Sequence, residues 1–409
     1  MRLTLAIQPD GVRLLEAGEE LASDPLRLRR STRESVSELH RLWRRGPLSV
    51  HAEQEAELAT ALVDAGQELS HDVLGGRVGS LLAARLREAG TSGENVALGL
   101  LAAELSQLPW EALWPGPAAE WPLALDPRID LFREVAGAQR RGPPLRPPLR
   151  VLVAIANPES HNRPGLLINE EVLITRIVDA GERARRTGNV SFEFLPEASL
   201  PAIAATFDPS ANGSTVLHLS CHAEPGRLLL ETPEGDEDLM AAERLLRHLP
   251  LEDLSAVVLA GCSTGMADPS SVAAEPGEKA LRAIAETLVQ AGVPAVLAMQ
   301  APVSDAYATE LLGEFYSNLA VAESPDFLPA LSEARRQAQR RSEESGRGAS
   351  EWGTPALWLV PGDGPPAPPA KRAAVASGPR LPTGRFVGRK QARRVARRAL
   401  VGEDRKSVV

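Results

Sequence analysis

Thr215-Val-Leu-His-Leu-Ser-Cys-His222 and Ser255-Ala-Val-Val-Leu-Ala-Gly-Cys262 are the two stretches that decide how this chain is read. Each is a short apolar run that suits a buried β-strand, and each ends on a chemically reactive side chain. Neighbouring strands of a parallel sheet bring their C-terminal ends to the same edge, where open α/β folds place their sites. An imidazole and a thiol meeting there are the two halves of a cysteine nucleophile with its base. The bland alternatives are a polar residue at a strand end for His222 and a packed thiol for Cys262. Gly261 and Ser263-Thr-Gly265 around the thiol favour the nucleophile, because small residues permit a sharp turn and the close approach of a carbonyl.

Outward from these strands the pattern alternates strand and helix. Arg150 to Ala156 and Val190 to Leu195 read as strands, with an amphipathic helix over 170–186 between them. A short helix from Leu200 leads into the His222 strand, and an extended piece at Leu228–Glu231 and a helix over 239–248 come after it. Past Cys262 the spacing predicts a helix over 277–292, a strand over 294–299, helices over 304–321 and 327–342, and a last strand over 356–360. The expected fold is α/β, with a mostly parallel sheet covered by helices on both faces.

A mixed α/β accessory region precedes it. It opens with a hairpin turning at Pro9-Asp-Gly11 and continues with helical spacing over 31–45 and 53–90. The boundaries expected are 1–147 for the accessory region, 148–362 for the α/β domain, 363–383 for a proline-rich linker, and 384–409 for the stub of a further module.

Composition narrows the function. The formal charge of −9 hides an asymmetry: residues 371–409 carry 12 Lys/Arg against 2 Asp/Glu, or +10, leaving −19 on the first 370. An acidic body argues against nucleic-acid binding by the main domains, and the basic tail reads first as a solvated helix face. No run of about 18 apolar residues suggests a membrane span, and Pro9 and Asp10 come too early for a signal-peptide core. The 2 cysteines, Cys221 and Cys262, exclude a disulfide scaffold, so a cytoplasmic location is expected.

The other reactive side chains have quieter readings. A zinc site from His218, Cys221, His222 and Cys262 is disfavoured, because strand alternation sends Cys221 to the face opposite His222. His218 reads as a hydrogen-bonded residue beneath the site and Cys221 as a packed thiol. Ser304-Asp305 reads as an N-cap with a first-turn carboxylate, or else as part of a substrate pocket at the same sheet edge. No phosphate-binding loop of the Gly-x-x-x-x-Gly-Lys-[Ser/Thr] type occurs, so neither a cofactor nor a metal is expected.

Leu217-His-Leu-Ser-Cys-His222, with Val258-Leu-Ala-Gly-Cys-Ser-Thr-Gly265 some 40 residues later, resembles the paired signature of CHAT domains. These are caspase-like cysteine peptidases of the caspase/separase clan. Leu108-Pro-Trp-Glu111, Gly292 to Gln300, Pro302-Val-Ser-Asp-Ala with Phe315-Tyr316, Leu331 to Arg335 and Trp352 to Val360 extend the resemblance in order. It implies a caspase-like fold, Cys262 as nucleophile, His222 as base, and an oxyanion hole from the backbone N–H groups of Ala223 and Cys262. The implied partner is a protein substrate, with a sensor or regulatory domain or protein beside it, in bacterial signalling or defence. Two departures stand out: the family usually has Gly after the histidine, where this chain has Ala223, and commonly an acid after the cysteine, where it has Ser263. Alanine keeps the N–H but resists positive φ. A catalytically silent interaction module therefore stays open, as does a different acyl-transfer hydrolase on the same dyad. Phe386-Val-Gly-Arg389 resembles the opening of STAND-type ATPase modules.

Overall fold

The computed structural model describes residues 1–44, 52–116, 119–161, 168–184, 188–207, 214–224, 226–261, 283–345 and 350–361. Cys262, Ser263, the linker and the C-terminal stub with its Phe386-Val-Gly-Arg389 lie outside these residues. In chain order the N-terminal part has strands β1 (Arg2–Gln8), β2 (Gly11–Glu16) and β3 (Glu19–Pro25), then helices α1 (Arg30–Trp43), α2 (Ala52–Leu74) and α3 (Arg77–Ser92). Strands β4 (Val96–Leu101) and β5 (Ile129–Glu134) complete it. Next come β6 (Leu149–Ile155), α4 (Glu170–Ala184), β7 (Val190–Phe194), α5 (Leu200–Thr206), β8 (Ser214–Ser220), β9 (His222–Glu224), β10 (Arg227–Glu231) and β11 (Glu237–Ala241). The series ends with α6 (Ala242–Leu246), β12 (Leu254–Leu259), α7 (Ile284–Gln290), β13 (Ala295–Met299), α8 (Asp305–Val321), α9 (Phe327–Ser345) and β14 (Pro355–Leu359).

Eleven strands form one sheet in the order β3-β2-β1-β4-β5-β14-β13-β12-β8-β6-β7. Its neighbours pair in parallel except at β3/β2, β2/β1 and β14/β13. The expected mostly parallel sheet is therefore present, and it continues through the N-terminal strands. Alternation along β6 shows how the two faces are filled. Val151, Val153 and Ile155 join a cluster with Leu173, Ile177, Leu311 and Phe315. Leu152 and Ala154 point into the cluster that holds Ile203, Leu245 and Leu288. Helices α4, α8 and α9 thus cover one face and α5, α6 and α7 the other, as a sheet with two apolar faces requires.

Three local readings change. The helical spacing over 53–90 divides at Gly75-Gly76, because α3 takes its N-terminal bond from a distant residue. Asp24 Oδ2 accepts from Val78 N–H at 2.6 Å, and a Cβ on Gly76 would lie 2.5 Å from that oxygen. The helix expected over 239–248 is strand β11 up to Ala241, paired antiparallel with β10, and only Ala242–Leu246 is helical. Leu239 and Met240 fit a helical stripe equally well, and the ladder with Leu229 and Leu228 outweighs that local preference. Strand β4 is an element that the sequence pattern does not predict. Among the described residues, no helix is long and apolar enough to cross a membrane.

Sheet halves meet at a buried polar knot. Arg133 on β5 holds Glu111 in two bonds, Nε to Oε1 at 2.9 Å and Nη2 to Oε2 at 2.6 Å. It also donates to the carbonyls of Ser106 and Leu108 and to Gln300 Oε1, while Gln300 Nε2 donates to Glu111. Leu108-Pro-Trp-Glu111 thereby ties β5 to the residue just past β13.

Candidate active site

The apolar run that ends on His222 is not one continuous strand. Strand β8 stops at Ser220, fully buried along its length, and His222 starts β9 in a separate three-stranded sheet of order β11-β10-β9. The break comes one residue before His222, whereas the sequence suggests one after it. His222 faces Leu229 across an antiparallel ladder that turns at Gly226, whose φ of 77° favours glycine. The imidazole is therefore carried on a hairpin beside the end of β8 rather than on β8 itself.

Glu231, at the far end of β10, anchors that hairpin. Its side chain is wholly buried; Oε1 accepts from Asn157 N–H, just past β6, and Oε2 from Ala198 N–H at 3.3 Å. A carboxylate receiving two backbone donors from the main sheet's own connections gives the small sheet a fixed attachment. Sequence periodicity carries no sign of Glu231, since its partners are 74 and 33 residues away.

The chain reaches the same edge along β12. Leu259 lies beside Leu219, and Ala260 N–H donates to Leu219 O at 2.8 Å. Gly261, buried, is the last described residue before Cys262. Strands β8 and β12 are adjacent and parallel, so their C-terminal ends share one edge. The residues leading to His222 and to Cys262 thus arrive together, and the position of Cys262 itself lies outside the described residues. Ala223 sits within β9, and its φ is not positive. The alanine that replaces glycine therefore carries no backbone strain.

Helix α8 begins at this edge too. Ser304 is its N-cap, accepting from Tyr307 N–H at 3.1 Å, as its sequence position suggests. Glu351 locks the cap by accepting from Ser304 N–H and from Ser304 Oγ at 2.9 Å. Burial raises the Glu351 carboxyl, and those two bonds pull it back down. Next to the cap, Asp305 Oδ2 accepts from Asn169 N–H at 3.3 Å. Loss of hydration raises the Asp305 carboxyl, while the Asn169 bond and the charge of His222 act to lower it. Asp305 therefore lies within electrostatic reach of His222, at the sheet edge where a pocket role is its second reading.

His218 is fully buried beneath the site. Its Nδ1 is 2.7 Å from Tyr316 Oη, the two rings stack at 5.6 Å, and Nε2 has no hydrogen-bond partner. Burial pushes its pKa down to about 3, so the ring is neutral at ordinary pH and supports the packing. Cys221 is a buried thiol on the face opposite His218, packed with Leu217 and Leu219. Among the described residues no group of three or more His, Cys, Asp or Glu is disposed to hold a metal.

Comparisons with known proteins agree with this fold. No curated protein matches the chain in sequence. The separase of the Saccharomyces cerevisiae separase–securin complex is similar in structure, with a TM-score of 0.50 at 9% identity, over 88% of this chain and 30% of that one. This chain thus spans under a third of separase's length. The Porphyromonas gingivalis RgpB pro- and mature domains give a TM-score of 0.40 at 12% identity, over 82% and 78% of the two chains. A secreted C11 cysteine protease from Bacteroides thetaiotaomicron gives 0.34 at 10%, over 48% and 60%. The likeness to separase is one of fold alone, a large, mostly parallel sheet flanked by helices. A family profile described as the CHAT domain matches residues 67–363, well over half the sequence, and so the chain belongs to the CHAT-domain family.

Proposed function

We propose that this chain is a cysteine endopeptidase that cleaves protein substrates with Cys262 as nucleophile and His222 as base. The observation that carries the reading is the shared sheet edge: Ala260 is bonded to Leu219, two residues before Cys262 and three before His222. In this reading His222 accepts the Cys262 proton and the thiolate attacks the scissile carbonyl. The oxyanion is held by the N–H groups of Ala223 and Cys262. Collapse to the thioester expels the amine, which takes the proton back from His222. Water, deprotonated by His222, then attacks the thioester and releases the acid and the thiol.

A regulated effector in bacterial signalling or defence, working in the cytoplasm beside a sensor domain or partner protein, is the setting proposed. Its support is the family and the resemblance of Phe386-Val-Gly-Arg389 to the opening of a STAND module. The second reading, a catalytically silent interaction module, draws on Ala223 in place of glycine. It loses part of that support because Ala223 needs no positive φ within β9.

N-terminal proteomics on a bacterial lysate treated with the chain, with Cys262→Ala as control, tests the proposal. New termini that require the cysteine are expected, with one preferred residue before the cut. Identical termini with both proteins, under conditions where an alkylating probe labels Cys262 no faster than Cys221, would sink it in favour of the silent module.

A further inference from the structure

Strand β5 touches β14 only through Arg133 and Glu134, which leaves Ile129–Phe132 without a strand on that side. A cavity of about 490 Å³ lies against this stretch, within the range of small-molecule sites. Its walls come from β5, from the start of α9, and from residues 140 and 144–145, with Ala97 on β4 beside them. On the β13 side it reaches Pro294 and Ala295, at the opposite end of that strand from the edge carrying His222. None of its lining residues belongs to the candidate active site.

The walls are largely apolar, with Phe132, Leu145, Pro294, Leu328 and Leu359 among them, yet two carboxylates are set into them. Asp130 is 7% exposed; its Oδ2 accepts from Asn95 Nδ2 at 3.2 Å, and its Oδ1 is sealed from bulk water with no hydrogen-bond partner. An orphaned buried carboxylate oxygen is costly, and native structures leave few of them unexplained. Asp326 Oδ1 caps α9 by accepting from Leu328 N–H at 2.9 Å. Burial, and then the nearby charge of Asp130, raise the Asp326 carboxyl.

Two cations at the rim have other engagements. The Met1 ammonium donates to Asn95 O at 3.2 Å. Arg2 pairs with Glu134 at 2.9 Å and lies over the Phe132 ring, 5.0 Å from its centroid. Arg140 also lines the cavity. None of these supplies a donor to Asp130 Oδ1.

We infer that this cavity is a binding site for a small organic cation, an ammonium or guanidinium on an apolar body, whose charged end meets Asp130 and Asp326 and whose body packs against Phe132 and the proline-lined wall. A cation there sets an opposite charge beside the two carboxylates and relieves the repulsion between them. The inference does not depend on peptidase activity.

Calorimetric titration of the full chain with 2-phenylethylamine, and with 2-phenylethanol as its uncharged match, tests it. Saturable one-to-one binding of the amine is expected, with the alcohol at least tenfold weaker. Asp130→Asn weakens amine binding at least tenfold, Ala97→Leu fills the cavity and abolishes it, and His222→Ala leaves it unchanged. Equal affinity for amine and alcohol, indifference to Asp130→Asn, or no saturable binding of 2-phenylethylamine, cadaverine or agmatine would overturn the site. Hydrogen exchange on the unaltered chain asks the same question without a substitution. The amine must slow exchange across 129–132 and 326–330, and slowing confined to other segments also refutes the site.

Discussion

The two halves of the sheet are built alike and pointed oppositely. On one side of the β14/β13 junction, β1, β4, β5 and β14 run parallel to one another. On the other, β13, β12, β8, β6 and β7 run parallel in the reverse sense, because β14 and β13 pair antiparallel. Each half shields a histidine, partly in the first and fully in the second. His40 stacks on Trp43 at 5.6 Å in the first, and His218 stacks on Tyr316 in the second; burial lowers the pKa of both. What separates the halves is the use of their strand ends. In the second half, β8 and β12 lead toward His222 and Cys262 at one edge, while the first half spends its outer strands on the β1–β3 meander. One architecture therefore serves as scaffold in one half and as candidate site in the other. The chemistry depends on the segments beyond the strand ends rather than on the strands themselves.

That contrast can be broken most sharply at the dyad. Cys262→Ala or His222→Ala should lower cleavage by more than about 10³-fold in the proteomic assay. Thermal stability should hold for His222→Ala, since the residue is only half-buried on a hairpin. Equal loss of fold and activity would mean that the second half, too, is mostly scaffold.

The junction comes next. Arg133→Met leaves Glu111 buried without its cation, which should cost about 3–5 kcal/mol in urea unfolding. Adding Glu111→Gln should recover part of that loss, because the orphaned charge is gone. A loss below about 1 kcal/mol would mean the halves are joined by their strand ladders alone.

Acid separates the halves more gently. The folded-state pKa of His218 is about 3, below its unfolded value of 6.5, so the unfolded chain binds the proton first. Stability from this group is whole above about pH 6.5 and is lost as pH falls toward 3, by about 2 kcal/mol between pH 7 and pH 5. His40 acts in the same direction. Urea titrations at the two pH values should show a smaller drop for His218→Gln, and an unchanged drop would place the acid sensitivity elsewhere.

The smallest effect tests the tie between α8 and the hairpin. The charge of His222 lowers the Asp305 carboxyl, so His222→Ala should raise the Asp305 pKa, read by carboxyl-carbon NMR titration. A pKa that stays put would separate Asp305 from the site.

Much of the second half is legible in the sequence because its central strands are continuous apolar runs. Val151–Ile155, Val216–Leu219, Ala256–Leu259 and Ala295–Met299 are buried on both faces, and strands of that kind announce themselves. Val96–Leu101 is harder to read, for Gly99 interrupts its apolar run, although Gly93 ends α3 just before it. The segment over 239–248 has helical spacing and the neighbours of a strand. Of the candidate site, the sequence offers His222 and Cys262 as strand-end residues, and the structure moves His222 onto a hairpin one residue past β8. Glu231, Asn169 and Glu351 are not legible, because each acts through bonds to residues 33 or more positions away. The tie of Asp305 to His222 across 83 positions is hidden for the same reason.

Strand β14 has a consequence for how the molecule is made. It is the last described strand in the chain, yet it sits between β5 and β13 and supplies the strand-ladder hydrogen bonds that join the halves. On a ribosome, everything up to Val321 can emerge while β5 and β13 still present open edges of the kind that invite pairing with other chains. The sheet closes like a zip whose slider is threaded last. Assembly of the junction is therefore tied to synthesis of residues 355–359, and nascent chains that stop short of them remain two unsealed half-sheets.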